Sequence, residues 1–186
     1  MIKILLKILS IVLVLYVLFY ALILVSCSET DQFVDEAEFE EKILTVPGAK
    51  DHLPVLESLG DYKTVTLNTK TTKYILWNTR ALSMVVEYDD NFFEAEVEIV
   101  DRTYSFVDEK KEGLLDYSAS VKGYEIRVVE KVEDMTDDYL YYYPKCFMMI
   151  GINKETNSIV YLFHYDIDLD EIKDLDKFIK KHYLIA

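Results

Sequence analysis

Residues 146–163 read CFMMIGINKETNSIVYLF, and this stretch decides the fold. Two apolar runs, Cys146–Ile152 and Ile159–Phe163, are joined by the polar segment 153–157, which has the composition of a turn. Neither run alternates between apolar and polar residues. A strand with two apolar faces is typical of the middle of a sheet that is covered on both sides. The sequence therefore predicts a central antiparallel pair in a sheet that is covered, at least in part, on both faces.

The segments before this pair alternate with a period of two, which is typical of half-buried strands. Residues 89–91, Asp-Asp-Asn, have the composition of a hairpin turn and lead into the clearest alternation. There Glu94, Glu96 and Glu98 lie on one face of a predicted strand, opposite its apolar residues. We read residues 108–123 as a loop. The predicted strands of this part are Tyr62–Leu67, Lys73–Asn78, Leu82–Tyr88, Phe92–Val100, Tyr104–Val107 and Tyr124–Val132.

Helical spacing of apolar residues appears at both ends of the region after residue 28. It predicts helices over Phe33–Leu44 and Lys50–Leu59 and an amphipathic helix over Leu169–Tyr183, with Asp168 or Asp170 as its N-cap. Together these elements predict an α+β fold. Its antiparallel sheet has six to eight strands, with two N-terminal helices and a C-terminal amphipathic helix on the sheet.

The first part of the chain has the pattern of a membrane segment. Residues 8–26 carry no charge, Lys3 and Lys7 precede them, and an acidic run follows. Nineteen such residues in a helix span about 28 Å, close to the thickness of one hydrocarbon core. The basic residues predict that the N-terminus stays inside and that everything after Cys27 lies outside.

The tetrapeptide Leu24-Val25-Ser26-Cys27 resembles the lipobox of bacterial lipoproteins. That resemblance implies cleavage before Cys27 and lipidation of its thiol. The alternative is an uncleaved signal anchor, because the apolar run is longer than the run of a typical signal peptide. We divide the chain into a leader over 1–27, an acidic tether with the first helix over 28–48, and one α+β domain over 49–186.

The charge excludes some classes of partner. The chain carries −14 overall, and the part after residue 28 carries 18 basic against 34 acidic side chains, a net −16. Such a domain repels phosphate backbones, so we expect no nucleic-acid partner. Any membrane contact should come from the leader. A partner with a basic surface would be attracted instead.

A cation site is one interpretation of the acidic segment before the last helix. Asp166, Asp168 and Asp170 alternate along the chain, as the oxygen ligands of Ca²⁺ can do. The spacing of a calcium-binding loop fails, however, because Glu171 stands where that loop needs glycine and Lys177 where it needs a bidentate glutamate. The alternative is that these acids end a strand and cap the helix.

Two further groups are candidate binding residues. Tyr139, Tyr141, Tyr142 and Tyr143 place four tyrosines in five positions, and tyrosine is enriched at interfaces. Glu94, Glu96 and Glu98 would offer an acidic face to a cationic peptide, or simply form a solvated strand face. Two histidines, His52 and His182, look isolated, and Cys146 looks like a core residue.

These observations favour a membrane-anchored, extracytoplasmic and non-catalytic domain that binds a basic protein or an envelope polymer. Two alternatives stay open. One is a carbohydrate-active hydrolase of the cell envelope that uses paired carboxylates and a tyrosine platform. The other is a purely structural envelope lipoprotein. We predict no cofactor beyond the calcium interpretation, because motifs for phosphate loops, zinc proteases and serine hydrolases do not occur in the sequence.

Overall fold

The computed structural model describes residues 2–26, 28–73, 78–110, 114–130, 146–167, 169 and 171–185. Within these ranges the chain forms five α-helices, one short 3₁₀ helix and seven strands, which confirms the predicted α+β class. In chain order the elements are α1 (Ile2–Ser26), β1 (Ser28–Phe33), α2 (Glu36–Thr45), α3 (Ala49–His52), a 3₁₀ turn (Leu56–Ser58), β2 (Tyr62–Lys73), β3 (Asn78–Tyr88), α4 (Asp90–Thr103), β4 (Ser118–Val121), β5 (Tyr124–Val128), β6 (Cys146–Asn153), β7 (Ser158–Tyr165) and α5 (Leu175–His182).

All seven strands join one antiparallel sheet in the order β1-β2-β3-β7-β6-β5-β4. The predicted central pair is confirmed, since β6 and β7 lie in the interior of the sheet and pair from Cys146↔Tyr165 to Asn153↔Ser158. Two antiparallel runs, β1-β2-β3 and β4-β5-β6-β7, meet where β3 pairs with β7. Helix α4 follows β3, and the chain after it reaches the far edge of the sheet at β4.

The sheet has an apolar core on each face, because successive side chains of the central strands point in opposite directions. On β7, Ile159, Tyr161 and Phe163 belong to the first core, whereas Val160 and Leu162 belong to the second. Residues of α2, α3 and α4 cover the first core, and residues of α5 cover the second. The helices therefore lie on both faces, as the two-sided apolar runs predict.

Two predicted strands are wrong. Over Tyr104–Val107 the chain forms only an isolated bridge, between Phe106 and Val129. Residues 92–100 are part of helix α4, with Phe93, Glu96 and Val100 buried. These three lie on one side of a helix at spacings of three and four residues. Glutamate and alanine favour helix, and the acids at 89 and 90, read as a hairpin turn, stand at the helix N-terminus, where negative charge is favourable.

Two strands come from segments that were not predicted to be strands. Residues 28–33, expected as an acidic tether, form the edge strand β1, which pairs with β2 from Ser28↔Lys73 to Phe33↔Asn68. Lys70 links the two strands through a 2.5 Å ion pair with Glu29. Residues 118–121, expected in a loop, form the opposite edge strand, β4. The predicted strand Lys73–Asn78 falls mainly on residues 74–77, which lie outside the described ranges.

The predicted helices differ from the observed ones in their limits. The segment expected as one helix over Lys50–Leu59 is divided into α3 and the 3₁₀ turn, with Pro54 between them. Helix α5 begins at Leu175 rather than Leu169, because the backbone at Ile172 is extended and forms a parallel bridge with Leu114. The observed N-cap is therefore Asp174, whose carboxylate accepts a hydrogen bond from the N–H of Lys177.

We expect Asp174→Ala to lower the free energy of unfolding, because helix α5 loses its N-cap side chain. Urea titration monitored by far-ultraviolet circular dichroism measures this change. Lys177→Ala is the control, because its side chain is 84% exposed and its ion pair with Asp174 lies at the surface. If both variants lost the same stability, the capping role of Asp174 would be refuted.

Helix α1 is apolar on all sides over its described part. Its large apolar side chains between Ile8 and Tyr20 are each more than half exposed. Its side chains are described for residues 7–21 only, and no helix in the described part of the chain is both long and apolar enough to cross a membrane.

Candidate functional site

The exposed side of α4 combines apolar and acidic side chains. Phe92, Ala95 and Ile99 recur at spacings of three and four residues, so they form one stripe along the helix. Phe92 and Ile99 are 42% and 45% exposed, which is high for large apolar side chains. Glu94 and Glu98 are exposed beside this stripe. We call these five residues the α4 outer face.

The two glutamates of the α4 outer face have no cationic partner among the described residues. Asp101, further along the helix, forms a 2.8 Å ion pair with Arg127. The guanidinium of Arg127 also lies over the Phe106 ring at 3.7 Å. Arg102 donates from Nε to the main-chain oxygen of Glu98, not to its carboxylate. The carboxylates of Glu94 and Glu98 are therefore available to a partner.

The third predicted glutamate lies on the side of the helix opposite Glu94 and Glu98. Glu96 is buried, and its carboxylate accepts a hydrogen bond from the main-chain N–H of Gly60. Burial raises the pKa of Glu96 above its ordinary value, and the Gly60 hydrogen bond offsets part of that rise. The structure therefore separates the three predicted residues into an exposed pair and one desolvated carboxyl group.

Four tyrosines of the first core lie in the region of Glu96: Tyr62, Tyr88, Tyr104 and Tyr161. We call them, together with Glu96, the Glu96–tyrosine cluster. Burial raises the pKa of Tyr88, Tyr104 and Tyr161, and the charge of Glu96 contributes to the rise for Tyr88 and Tyr161. Among the described residues the buried Tyr88 hydroxyl has no partner within hydrogen-bonding distance, although the Tyr161 hydroxyl lies near enough to interact with it. Tyr62 and Tyr104 are only half-buried.

A second polar group lies in the core beneath α5. His164 of β7 is fully buried and contacts Phe147, Phe178 and His182, with ring centroids 4.8–5.8 Å apart. Neither of its ring nitrogens has a hydrogen-bond partner within the described part of the chain, and the same is true there of the Tyr183 hydroxyl. The prediction that His182 is isolated is wrong, since its ring packs edge-on against His164.

Charge and burial lower the pKa of both histidines. Burial, followed by the charges of His182 and Lys181, holds the pKa of His164 well below its usual range. Burial, Lys181 and Lys70 lower the pKa of His182 to about 4, with Glu29 opposing them. Both rings are therefore neutral near pH 7 and act as aromatic core residues.

Several predicted site residues lie outside the described ranges. These are Cys27, the proposed lipidation residue, the tyrosines Tyr139, Tyr141, Tyr142 and Tyr143, and the acids Asp168 and Asp170. Asp166 is described and buried. Among the described residues, no group of three or more His, Cys, Asp or Glu side chains is placed to hold a metal ion. The lipid and calcium interpretations stay predictions.

The described part of the chain brings no pair of carboxylates together at Glu96. Its pKa is affected by burial and by Gly60, with no contribution from another acid. The carboxyl group is therefore a single hydrogen-bonding and charge-bearing group. Its surroundings are aromatic rings and phenol oxygens, which suit the binding of a cation better than a reaction that needs two acids.

The Glu96–tyrosine cluster was not predicted, because the alternation of residues 92–100 indicates a strand. The signal was present in the spacing of Phe93, Glu96, Val97 and Val100, which places a glutamate among apolar residues on one helix face. A polar residue at such a position is a candidate buried group. The tyrosine partners come from β2, β3 and β7 and from the end of α4, so only the sheet pairing brings them together.

Fold and surface together define an acidic α+β protein with a seven-stranded antiparallel sheet between two helical layers. The chain matches no protein-family model, no curated protein and no solved structure. The assignment of function therefore depends on the α4 outer face and the Glu96–tyrosine cluster.

Proposed function

We propose that this chain is a membrane-anchored, extracytoplasmic and non-catalytic domain that binds a protein with a basic surface. The observation that carries the proposal is the α4 outer face. Exposed Phe92 and Ile99 offer apolar area to a partner, and Glu94 and Glu98 beside them lack cationic partners within the described residues. Aromatic area next to unpaired charge is typical of a recognition surface, in which charge complementarity guides association.

The net charge supports the same kind of partner. At −14 the chain attracts cationic surfaces over distances of about one Debye length, roughly 8 Å at physiological salt. Attraction of this kind raises the association rate more than it lowers the dissociation rate. A basic protein is favoured over a neutral envelope polymer, because a neutral polymer would gain nothing from the unpaired carboxylates.

The anchoring part of the proposal is supported by α1. Large apolar side chains cover all sides of this helix and are mostly exposed, which is unfavourable in water and favourable in lipid. The lipobox-like tetrapeptide ending at Cys27 supports a lipid anchor. Protease added outside intact cells should digest the domain, and mass spectrometry of the membrane fraction should find lipid on Cys27. Full-length protein protected inside the cytosol would refute the anchoring proposal.

The decisive test reverses two charges on the α4 outer face. We expect Glu94→Lys with Glu98→Lys to weaken binding of the partner by about 10- to 100-fold, equivalent to about 1.4–2.8 kcal/mol. The control is Glu40→Lys with Glu41→Lys, two exposed acids of α2 that give the same change in net charge. Each variant is used to capture partners from solubilised membranes, and the captured protein is then purified and titrated.

Salt dependence completes this test. Raising the salt concentration should weaken binding to the wild-type chain and to the α2 control, and should affect the α4 variant less. Equal loss in the α4 and α2 variants would mean that only the net charge matters. Unchanged binding in the α4 variant would refute this face as the docking site.

A further inference from the structure

We propose that the Glu96–tyrosine cluster receives one cationic side-chain terminus, the ammonium of a lysine or the guanidinium of an arginine. The proposed function makes this side chain part of the basic partner, and the inference rests on that function for the partner's identity. The cluster itself defines the chemistry of its ligand, since it joins one carboxylate to aromatic rings and phenol oxygens. It also lies on the helix whose outer face carries the proposed docking residues.

The carboxyl group of Glu96 is held in place with capacity for another donor. Gly60 allows this, because a Cβ at that position would collide with the Glu96 carboxylate. The Gly60 N–H occupies one acceptor position, and a carboxylate has about four. No cationic side chain of the described residues pairs with Glu96. A cation that enters the cluster would therefore find an oriented and uncompensated carboxylate.

The unpartnered hydroxyl of Tyr88 is the second observation that indicates a ligand. Tyr88 is only 3% exposed, and a buried hydroxyl without a partner loses the hydrogen bonds that it makes in water. Tyr88 pairs across the sheet with Tyr62, which is two residues from the Gly60 that contacts the Glu96 carboxylate, so Tyr88 lies in the same part of the fold as Glu96. An ammonium or guanidinium group has three to five N–H donors, so it can donate to Glu96 and to the Tyr88 oxygen together.

The half-buried residues around Glu96 indicate the route from solvent. Gly60, Tyr62 and Tyr104 are partly exposed, whereas Tyr88 and Tyr161 are buried behind them. Phe92 and Ile99 stand four residues before and three residues after Glu96, so they flank it on the same side of α4. The methylene groups of a lysine or arginine can pack on these apolar residues, and its charge can lie against the tyrosine rings.

A divalent metal ion is a poorer ligand for this cluster. Mg²⁺ and Ca²⁺ need several charged or carbonyl oxygens, and Glu96 is the single carboxylate that the described residues place there. Phenol oxygens are neutral at pH 7, and burial raises the pKa of Tyr88 and Tyr161 further. A single positive charge matches the single carboxylate.

The test uses the full chain in neutral detergent micelles and three small probes: n-butylammonium, n-butylguanidinium and uncharged n-butanol. Carbon-13 resonances of the Glu96 carboxyl and the tyrosine rings report binding. We expect saturable shifts for both cations, with Kd in the millimolar range, since ligands with so few heavy atoms make few contacts. Butanol should produce no saturable shift, and the apparent pKa of Glu96 should fall when a cation is bound.

Glu96→Gln tests the role of the charge while keeping an oxygen that accepts from Gly60. We expect it to weaken binding of both cations at least tenfold and to leave the melting curve cooperative. Glu41→Gln, at an exposed position of α2, should bind the probes as the wild type does. Equal shifts in wild type and Glu96→Gln, or equal shifts for butanol and the cations, would overturn the proposal.

The probes separate this inference from the proposed function, because they are measured without a protein partner. Partner binding that depends on Glu94 and Glu98 but not on Glu96, with no saturable probe binding, would leave the function intact and overturn the inference. Saturable and Glu96-dependent probe binding, without any partner that responds to the α4 outer face, would overturn the proposed function and leave the cation site intact.

Discussion

Acidification from pH 7 to about 4 is expected to remove several kcal/mol from the free energy of unfolding, and His164 and His182 are expected to cause most of the loss. The pKa of His182 is lowered to about 4 in the folded chain, and that of His164 lies well below its ordinary value. In the unfolded chain both return to about 6.5. The unfolded state therefore binds more protons than the folded state throughout this interval.

The direction of the effect follows from this difference in proton binding. When the unfolded state binds more protons, stability rises with pH. The contribution of each histidine is complete above about pH 6.5 and is lost progressively as the pH falls toward its folded-state pKa. One pKa unit is equivalent to about 1.4 kcal/mol. A shift from 6.5 to about 4 gives His182 about 3 kcal/mol at most, reduced by the solvent that its half-buried ring still contacts.

The surroundings explain why protonation is unfavourable at this place. His164 is enclosed by Phe147, Phe178 and Tyr183, which offer its ring no anionic partner. The charges of Lys181 and Lys70 oppose a second positive charge at His182, and Glu29 compensates only in part. Glu96 acts in the opposite direction, since its raised pKa favours the folded state as the pH falls, and it reduces the net loss.

Urea titrations at pH 7, 6, 5 and about 4.5 measure this effect. His164→Leu removes one titrating group and two unpartnered nitrogens, so we expect it to flatten the pH dependence by about half. His182→Gln tests the second group in the same way. His52→Gln is the control, because His52 bonds to the Gly48 oxygen and lies against Phe163, away from the histidine cluster. An unchanged slope in His164→Leu would refute the assignment.

The central strands β6 and β7 could be predicted because each contains an uninterrupted apolar run that can be recognised from the local sequence. Every position of the runs around Met149 and Val160 is apolar, and burial on two faces is the simplest way to remove both sides of a strand from water. The hairpin between β6 and β7 also joins consecutive segments, so no long-range information was needed. Here the covalent order and the burial pattern lead to the same structure.

Helix α4 could not be predicted from alternation alone. Residues 93–99 alternate between apolar and acidic side chains, yet only Phe93, Glu96 and Val100 of α4 are buried. Tertiary packing favours a helix over a strand for this segment. Strands β3 and β7 fill the centre of the sheet, and α4 covers the first core on one face of it. The predicted acidic strand face therefore became an exposed pair, Glu94 and Glu98, and a buried carboxyl group at Glu96.

The two edge strands, β1 and β4, could not be predicted for a different reason. Strand β1 is short and polar, as edge strands often are, and it carries no apolar alternation. Strand β4 alternates, with Ala119 and Val121 buried, but it has only four residues. Their pairing becomes visible only through partners far along the chain. Lys70 reaches Glu29 at one edge, and the Asp176 carboxylate of α5 accepts from the Ser120 N–H at the other. The predicted number of strands is confirmed, although two of the seven strands come from segments read as tether and loop.

Replacing Gly48 is expected to be among the most damaging single changes in the domain. Gly48 follows α2 and serves as the N-cap of α3 with φ of +79°, a left-handed conformation that L-amino acids rarely adopt. Its main-chain oxygen also accepts from the N–H of Asp51 and is hydrogen-bonded to the His52 ring. Alanine there costs about 1–2 kcal/mol for the backbone conformation alone.

Close packing adds a second cost at the same position. A Cβ on Gly48 would stand 2.5 Å from the Sγ of Cys146 and 3.6 Å from the Phe163 ring. Cys146 is buried at the start of β6, where the central pair leaves it little room to move. Overpacking of a core costs about 1–3 kcal/mol. We therefore expect Gly48→Ala to lower the free energy of unfolding by about 2–4 kcal/mol in urea titrations.

A double-mutant cycle separates the two costs. Cys146→Ala removes the sulfur that the new methyl group would meet, while the left-handed backbone at Gly48 stays as it is. In that background we expect Gly48→Ala to cost only the conformational part, so the two substitutions together should be less damaging than the sum of their separate effects by about 1–2 kcal/mol. Additive effects would show that the close approach of α3 to β6 plays no part, and that the glycine is needed for its conformation alone.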